Sequence, residues 1–388
     1  MKKDKLHVLQ VVGTMNRGGA EVMLMDIFRH TSEDIHFDFL VNYKIKQGMI
    51  EGDFDREIIS KGSYIKHIGA QWDIGPIKYI KQFKKICKEI GTPDVVHIHL
   101  NAKGGIIALA AKIAGVKRII VHSHGDLVFK GSFLKVLPGI LELKLQKLLI
   151  YLFATDFWGC SIAAVQSLYY KTIITKGKTI IIKNAIDVNS YMGITKEASN
   201  ALRKTYKIKN NTIVIGAVGR VVRRKNIGFI IDILNRLNQQ DIDFIFINVG
   251  KVDDLVYMNE VESKISKLKL KSKIIHLGLR DDIPLVMSTF DVFISPAHNE
   301  AFGMVAAEAQ AAGIPCLLST EFPEEIDMNL NLVSFVDNFD ANIWADEVLE
   351  TAGKRNYDRK SIKESFSSLG FDIQTNIKTM EDLYRNEK

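Results

Sequence analysis

The chain has 388 residues, of which 47% are hydrophobic and 25% are charged, so it is too long for one ordinary core and too apolar for a disordered protein. The net charge is +7, divided into +10 for residues 1–190 and −3 for residues 191–388. The first half is therefore the part that would approach an anionic partner. The sequence has no basic cluster interleaved with aromatic residues and no helix-turn-helix or RNA-binding signature, which argues against nucleic acid.

The apolar run in MKKDKLHVLQVVG is short and passes directly into a glycine turn, which is typical of a first strand and not of a signal peptide. No apolar stretch reaches the roughly twenty residues of a membrane-spanning helix. The three cysteines, Cys87, Cys160 and Cys316, lack the spacing of a disulfide framework or a zinc site. We therefore expect a cytoplasmic protein with reduced cysteines.

Short runs rich in valine and isoleucine alternate with helical patterns, as in the strand-helix-strand units of a parallel sheet. In the first half these runs are HVLQVV, FDFLVN, DVVHIHL, RIIVHSH and TIIIKN. After an irregular polar stretch the rhythm restarts with TIVIGAVG, DFIFINVG, KIIHLG, DVFISPA and PCLLS. The pattern predicts an α/β fold of two doubly wound domains, 1–188 and 189–365, with a ligand site in the cleft between them.

Two amphipathic segments need a surface to cover their apolar side. The terminal segment FDIQTNIKTMEDLYRNEK has Ile373, Ile377, Met380 and Tyr384 at helical spacing, which predicts a docked helix within residues 366–388. Residues 129–153 mix lysines with Phe, Leu and Ile. They are either a core-facing helix with a solvated lysine edge or an interfacial helix on an anionic membrane.

The first strand ends in the loop GTMNRGGAE, which contains Gly18 and Gly19 and leads into a helix. Glycines at such a place let backbone N–H groups approach a phosphate at the helix N-terminus. The spacing fits neither the dinucleotide-binding fingerprint nor a P-loop. A tight turn without a ligand is the alternative.

A basic cluster follows the first strand of the second domain, where Arg220, Arg223, Arg224 and Lys225 crowd a helix that begins near Asn226. Cations are unfavourable at the positive end of a helix dipole, and a bound anion would make the local electrostatic interaction favourable. The cluster therefore predicts a phosphate site with charge-assisted hydrogen bonds. A solvated basic face is the alternative.

The segment HNEAFGMVAAEAQAAGIP places Glu300 before a helix and Glu308 inside it. Their separation is on the order of 10 Å along the helix axis, whereas the paired carboxylates of glycosidases lie about 5 to 9.5 Å apart around one bond. The pair is therefore better suited to the two ends of a long ligand, with phosphate at the helix N-terminus between them. A ligand with hydroxyl groups at both ends and phosphate in the middle is a nucleotide sugar. Alternatively, Glu300 only complements the helix dipole as an acidic first-turn residue, and Glu308 lies on a solvated helix face.

Histidines end two of the predicted strands, as His97 and His99 in one and His122 and His124 in the other. An HxH pair can bind zinc, but each pair would need a carboxylate, and only Asp126 lies near in sequence. Buried or supporting histidines, or a histidine that contacts a substrate, remain the alternatives.

Together these motifs resemble glycosyltransferase family 4, the two-Rossmann-domain (GT-B) enzymes, especially those of bacterial capsule and exopolysaccharide biosynthesis. The motifs are VVGTMNRGGAE, DVVHIHL, VHSHGD, IIKNAID, GAVGRVVRRKN, HLGLRDDI and NEAFGMVAAEAQAAGIP. The resemblance implies retaining transfer of a hexose or N-acetylhexosamine from a nucleotide diphosphate sugar, with UDP expected, to a glycan or polyprenyl-linked acceptor. It also implies a metal-independent enzyme without a cofactor, placed in the cytoplasm or peripherally at the inner face of the membrane, whose last helix crosses back to the first domain.

The resemblance also implies roles for individual residues. Glu300 would hold the donor sugar and Glu308 the ribose, while Arg220 and Lys225 would neutralise the diphosphate. Backbone groups of Phe302, Gly303 and Met304 would complete the phosphate site. The loop with Gly18 and Gly19 would close over the donor, and His124 would face the sugar. Two other functions would use the same fold, a nucleotide-sugar epimerase or hydrolase and a non-catalytic sugar-nucleotide-binding protein.

Overall fold

The computed structural model describes residues 5–16, 18–125, 133–300, 302–356 and 358–385, without the side chains of residues 47 and 133–138. The chain divides into two compact units. Unit 1 contains the chain up to Ala185 together with the segment from Ile373 onward, and unit 2 is Ile186–Asp372. None of the helices in the described ranges combines the length and apolarity that a membrane crossing requires.

Unit 1 is built on a seven-stranded sheet in the order β3-β2-β1-β4-β5-β6-β7, in which each neighbouring pair is parallel. Its strands are β1 Leu6–Val12, β2 Ile35–Tyr43, β3 Ile65–Gly69, β4 Val95–Ile98, β5 Arg118–Ser123, β6 Asp156–Gly159 and β7 Thr179–Ile181. Its helices begin with α1 Gly19–His30, α2 Asp55–Ser60, α3 Gln71–Ile74, α4 Pro76–Glu89, α5 Gly104–Ile113, α6 Phe133–Phe153, α7 Ile162–Leu168 and α8 Lys171–Thr175.

Unit 2 has six parallel strands in the order β10-β9-β8-β11-β12-β13. They are β8 Ile213–Val218, β9 Phe244–Val249, β10 Ile274–His276, β11 Val292–Ser295, β12 Cys316–Ser319 and β13 Val333–Val336. The helices are α9 Val188–Met192, α10 Lys196–Thr205, α11 Ile227–Gln239, α12 Leu255–Lys267, α13 Ile283–Ser288, α14 Met304–Ala311, α15 Ala341–Thr351 and α16 Arg359–Ser368. Both units therefore have the Rossmann-like α/β architecture that the sequence predicts.

The central strands are hydrophobic almost without interruption because helices cover both faces of each sheet. In β1, Val8 and Val12 pack into one apolar cluster, whereas Leu9 and Val11 pack into another on the opposite face. Strand order reverses beside β1 in unit 1 and beside β8 in unit 2. Ligands of such sheets bind beyond the carboxyl ends of the strands at this reversal.

The last helix, α17 Ile373–Arg385, packs on unit 1 although its nearest sequence neighbours belong to unit 2. Its predicted apolar stripe is buried, with Met380 1% and Tyr384 2% exposed, in the same cluster as Val8 and Phe37. The Arg118 guanidinium donates hydrogen bonds to the backbone oxygens of Leu383 and Tyr384 at 2.5 and 2.9 Å, which satisfies carbonyls at the helix end.

The unit boundaries differ from the predicted ones at 188 and 365. The first lies three residues earlier, because Ile186 and Val188 are already part of the unit 2 core. The second lies seven residues later, between 372 and 373, because α16 buries Phe366 in that core and Phe371 follows it. Hydrophobic periodicity did not reveal β3, β6 and β13, which are only five, four and four residues long.

Candidate functional site

The basic cluster and the first glutamate lie side by side in unit 2, at the carboxyl ends of adjacent strands. The cluster follows β8 and Glu300 follows β11, and these two strands pair directly. Arg223–Lys225 form a 3-10 turn, and Asn226, the N-cap of α11, has a left-handed backbone with φ 56°. Asparagine tolerates that conformation better than most residues.

Glu300 receives two cations from the β8 loop. The Lys225 ammonium donates a hydrogen bond to Glu300 Oε2, and Arg224 Nη1 lies 3.4 Å from the same oxygen. The backbone N–H of His298 also donates to the Arg224 carbonyl at 2.9 Å. The contacts join the two loops into one polar surface that combines a carboxylate with cationic groups.

The other two arginines of the cluster point elsewhere. Arg223 forms a bidentate contact with Glu260 at 2.6 and 2.9 Å, and its guanidinium lies over the Tyr257 ring. Arg220 is about half exposed and reaches Asp253 at 3.2 Å. Of the four predicted cations, the structure therefore brings Arg224 and Lys225 to Glu300 and places Arg223 away from it.

The helix predicted between the two glutamates is α14, which begins at Met304 directly after Gly303. Gly303 has φ 87°, and a Cβ there would lie 2.2 Å from the Phe322 ring, so both backbone and packing require glycine. Phe302 stacks on Phe371 with ring centroids 4.9 Å apart. Within the first turn of α14, the Ala306 N–H donates to the Gly303 carbonyl at 2.8 Å. The N–H groups that precede it are those that a helix generally leaves without an internal partner, and they can bind an anion.

Glu308 lies within α14 and is half-buried. The helix positions next to it are filled by the small residues Ala306, Ala307 and Ala309, which are buried against the unit 2 core. The structure thus fixes both glutamates on one loop-and-helix element, with Glu300 before its N-terminus and Glu308 in its interior.

In unit 1, the predicted histidines form one cluster at the carboxyl ends of β4 and β5. His99 Nδ1 lies 2.7 Å from His124 Nε2, and His97 Nε2 lies 3.2 Å from His122 Nδ1. Gln10 Oε1 lies 2.8 Å from His99 Nε2. The cluster therefore connects three adjacent strands, since Gln10 belongs to β1.

Tyr384 of α17 completes the cluster, with its hydroxyl 2.6 Å from His97 Nδ1 and 3.3 Å from Gln10 Nε2. Neither Gln10 nor Tyr384 is recognisable as a site residue from the sequence alone. The available signals were a single polar residue inside the apolar run HVLQVV and a tyrosine on the docking face of the last helix. Neither signal reveals a partner more than 280 residues away in the chain.

Burial holds these histidines neutral. It lowers the pKa of His97, His99 and His122 well below the usual value, and neighbouring histidines lower each further. Burial lowers the pKa of His124 to about 4. A second imidazolium in such a cluster would be a like charge at short range.

Two groups in the described part of the chain bring three potential metal ligands within 4.8 Å of one another. They are His97, His99 and His122, and His7, His36 and Asp38. Asp38 lies 2.8 Å from His7 Nε2 and 3.0 Å from His36 Nε2, and both ring nitrogens of His97 and of His99 have hydrogen-bond partners. Hydrogen bonding accounts for both arrangements, and we assign neither to a metal. Asp126, the carboxylate expected near His124, lies outside the described residues.

The predicted glycine loop leads directly into α1, whose N-cap is Gly18 and whose first residue is Gly19. Gly18 has φ −97°, a value open to other residues, and a Cβ there would meet the flexible end of Glu21. Its backbone conformation therefore does not require glycine.

Two family models match the chain over more than two thirds of its length. Residues 42–155 match a model described as glycosyl transferase 4-like, and residues 198–364 match one described as glycosyl transferases group 1. The two matches fall in unit 1 and unit 2 respectively.

Two relatives and one solved structure extend the similarity. The chain is 29% identical to EpsF of Bacillus subtilis (strain 168), a protein assigned to the glycosyltransferases, over 99% of this chain and 97% of that one. It is 26% identical to the UDP-Gal:alpha-D-GlcNAc-diphosphoundecaprenol alpha-1,3-galactosyltransferase of Escherichia coli, over 75% of each. The structure of Anabaena Alr3699/HepE in complex with UDP and glucose superposes with a TM-score of 0.75 and 20% identity, over 98% of this chain and 99% of that one.

Proposed function

We propose, because this chain belongs to the glycosyltransferases, that it transfers a hexose or N-acetylhexosamine from a UDP-linked donor with retention of anomeric configuration. The central observation is the group formed by Glu300, Lys225 and the N-terminus of α14. A carboxylate suits sugar hydroxyls, while a cation and free backbone N–H groups suit a diphosphate. The group suited to sugar hydroxyls and the groups suited to a diphosphate lie side by side in one loop cluster.

The donor is proposed from the chemistry of the site and from the similarity to known proteins. HepE was solved with UDP and glucose, and the Escherichia coli relative is named for UDP-Gal. In the proposed complex, Glu300 accepts hydrogen bonds from the sugar and Glu308 from the ribose. Phe302, Gly303 and Met304 supply backbone groups at the phosphates.

Lys225 and Arg220 would stabilise the charge that develops on the departing diphosphate. Lys225 is 16% exposed, so its charge acts with little screening by solvent. Arg220 is more exposed and is held by Asp253, so it would exchange that partner for phosphate. In this proposal the two side chains stabilise the negative charge that a divalent cation stabilises in other phosphate chemistry.

A retaining transfer can be tested directly. Purified protein is incubated with radiolabelled UDP sugars and lipid-diphosphate-linked sugar acceptors, and the new linkage is examined by NMR. We expect transfer with the anomeric configuration of the donor, and loss of at least about 100-fold for Glu300→Ala or Arg220→Ala. Arg223→Ala, a neighbouring cation paired with Glu260, is the control and should keep its activity.

The same assay separates the other candidate functions. Inverted product would reject the retaining mechanism, and full activity in both variants would reject the site. Conversion of the UDP sugar without any acceptor would identify an epimerase or hydrolase. Donor binding without turnover on any acceptor would contradict the transfer reaction.

The acceptor is proposed to be lipid-linked and to be reached at an anionic membrane surface, as an intermediate of cell-surface polysaccharide. Helix α6 turns apolar side chains to solvent at helical spacing, with Leu141 58%, Leu145 52%, Leu148 43% and Leu152 57% exposed. Lys144 is also exposed, and residues 1–190 carry the excess positive charge. Apolar side chains beside lysines favour the interfacial location over a helix with only a solvated lysine edge.

Vesicle flotation tests that location. We expect binding to vesicles with anionic lipid at low salt, weaker binding to neutral vesicles, and loss of binding in Leu145→Ser/Leu148→Ser. Ile77→Ser, at an exposed isoleucine on α4, is the control. Equal recovery with anionic and neutral vesicles, or binding unaffected by the α6 changes, would contradict the proposed surface.

A further inference from the structure

We propose that Gln10 is a positioning residue that fixes the protons of the histidine cluster, so that His124 presents an unprotonated Nδ1 and accepts a hydrogen bond from a hydroxyl of a sugar substrate. The identity of that hydroxyl rests on the proposed function, whereas the proton arrangement does not. Gln10 is fully buried, and its side-chain amide hydrogen-bonds to both branches of the cluster, to His99 in one and to Tyr384 in the other.

The two distances at Tyr384 give the direction of hydrogen bonding. The separation of 3.3 Å between Gln10 Nε2 and the Tyr384 oxygen is too long for an O–H donor and fits a weak N–H donor. The separation of 2.6 Å between that oxygen and His97 Nδ1 is short for an N–H donor and fits an O–H donor. Tyr384 therefore accepts from Gln10 and donates to His97.

This orientation of the amide leaves Gln10 Oε1 as an acceptor, so His99 must carry its proton on Nε2. A neutral His99 then has a lone pair on Nδ1, which accepts from His124 Nε2–H at 2.7 Å. In the other branch, His97 has its lone pair on Nδ1 and donates from Nε2–H to His122 Nδ1. One amide thus determines the tautomer of four rings.

Each branch ends at a buried nitrogen with no hydrogen-bond partner in the described part of the chain. At His124 this atom is Nδ1, a lone pair, and at His122 it is Nε2, an N–H group. A buried polar atom without a hydrogen-bond partner is unfavourable. An incoming hydroxyl would satisfy His124 Nδ1 by donating its proton to the hydrogen bond, while a carbonyl or phosphate oxygen could not.

The proton arrangement can be read by NMR on the full-length protein labelled with ¹⁵N in histidine. Long-range ¹H–¹⁵N correlations distinguish protonated from unprotonated ring nitrogens, and His124→Ala assigns the His124 signals. We expect the Nε2–H tautomer at His124 in the wild type. An Nδ1–H tautomer or an imidazolium at neutral pH would overturn the proposal.

Two variants separate positioning from simple loss of packing. Gln10→Met keeps the volume but removes both contacts, and we expect His124 to populate the Nδ1–H tautomer. Tyr384→Phe removes one hydroxyl in the other branch, so the His97 and His122 signals should change while those of His124 stay. An unchanged His124 tautomer in folded Gln10→Met would also overturn the proposal.

The sugar-transfer assay keeps this inference distinct from the proposed function. If His124 has the Nε2–H tautomer but no sugar is transferred, the proposed function fails and the proton arrangement stands. If sugar is transferred by a protein whose His124 carries its proton on Nδ1, the opposite holds. If both hold, Gln10→Met should lower kcat/KM at least about 10-fold, and Tyr384→Phe by less.

Discussion

Lys225 donates a hydrogen bond to the carboxylate of Glu300, 75 positions away in the chain. Their side chains are only 16% and 11% exposed, so the pair is shielded from solvent in a way that surface ion pairs are not. Each side chain therefore fixes the position of the other, and with it the two loops that end β8 and β11. A ligand that uses both groups would find them already oriented.

Lys225→Met should weaken UDP binding by about 10- to 100-fold, because hydrogen bonds to charged groups contribute about 1.5–3 kcal/mol. Isothermal titration with UDP measures the change. Arg223→Met is the matched control, since Arg223 is turned toward Glu260 and should leave UDP affinity unchanged. Equal affinities of the Lys225→Met variant and the wild type would remove Lys225 from the diphosphate site.

Gly303→Ala should destabilise unit 2 by more than the same substitution at a comparable glycine, Gly353→Ala. Gly303 and Gly353 have φ of 87° and 84°, so both substitutions bear a backbone cost of about 1–2 kcal/mol. At Gly303 a Cβ also meets the Phe322 ring at 2.2 Å, whereas nothing lies within 4 Å at Gly353. We expect an additional loss of about 1–3 kcal/mol from that overlap.

Urea unfolding of the two glycine variants measures the difference. Equal losses at Gly303 and Gly353 would mean that Phe322 moves aside freely. In that case the start of α14 would be held by its backbone conformation alone.

The free energy of unfolding of unit 1 should fall as pH is lowered from 7 toward 4. Burial lowers the pKa of His124 to about 4 in the folded state, and it also lowers the pKa of His97, His99 and His122 well below the usual value, while unfolded histidines titrate near 6.5. The unfolded chain therefore binds more protons below that pH. The stability present at neutral pH is lost by about 1.4 kcal/mol per pH unit for each histidine.

Denaturant unfolding at a series of pH values checks this slope. His122→Asn should reduce the pH dependence, and the exposed His30 on α1 provides the control His30→Gln. A stability that is constant between pH 7 and 5 would show that the cluster is protonated, or open to water, in the folded protein.

Met380→Ala should destabilise unit 1 by about 2–5 kcal/mol, because it leaves a cavity where α17 packs on the sheet. Met380 is 1% exposed in the cluster that contains Val8 and Phe37. Lys378→Ala, on the exposed side of the same helix, should have little effect. Hydrogen exchange should accelerate in β1 and β2 but not in β8, and equal acceleration in both units would contradict the assignment of α17 to unit 1.

The sequence was sufficient for the elements that local physics decides. Strands such as β1 and β8 are largely apolar runs followed directly by a glycine, and the terminal helix shows its apolar stripe at Ile373 and Ile377. The spacing of Glu300 and Glu308 likewise follows from helix geometry once α14 is recognised. Boundaries were less accurate, because whether Phe366 belongs to one unit or the other depends on packing and not on its own neighbours.

By itself, then, the sequence determined the two parallel sheets, the glutamate-bearing helix and the family resemblance, because hydrophobic period, glycine position and residue type are local properties. Tertiary structure alone decided which cation meets Glu300 and which turns to Glu260. It also brought Tyr384 to Gln10 across 374 positions. Those contacts depend on the direction of side chains at the ends of strands, and that direction is set by packing between segments that are remote in the chain.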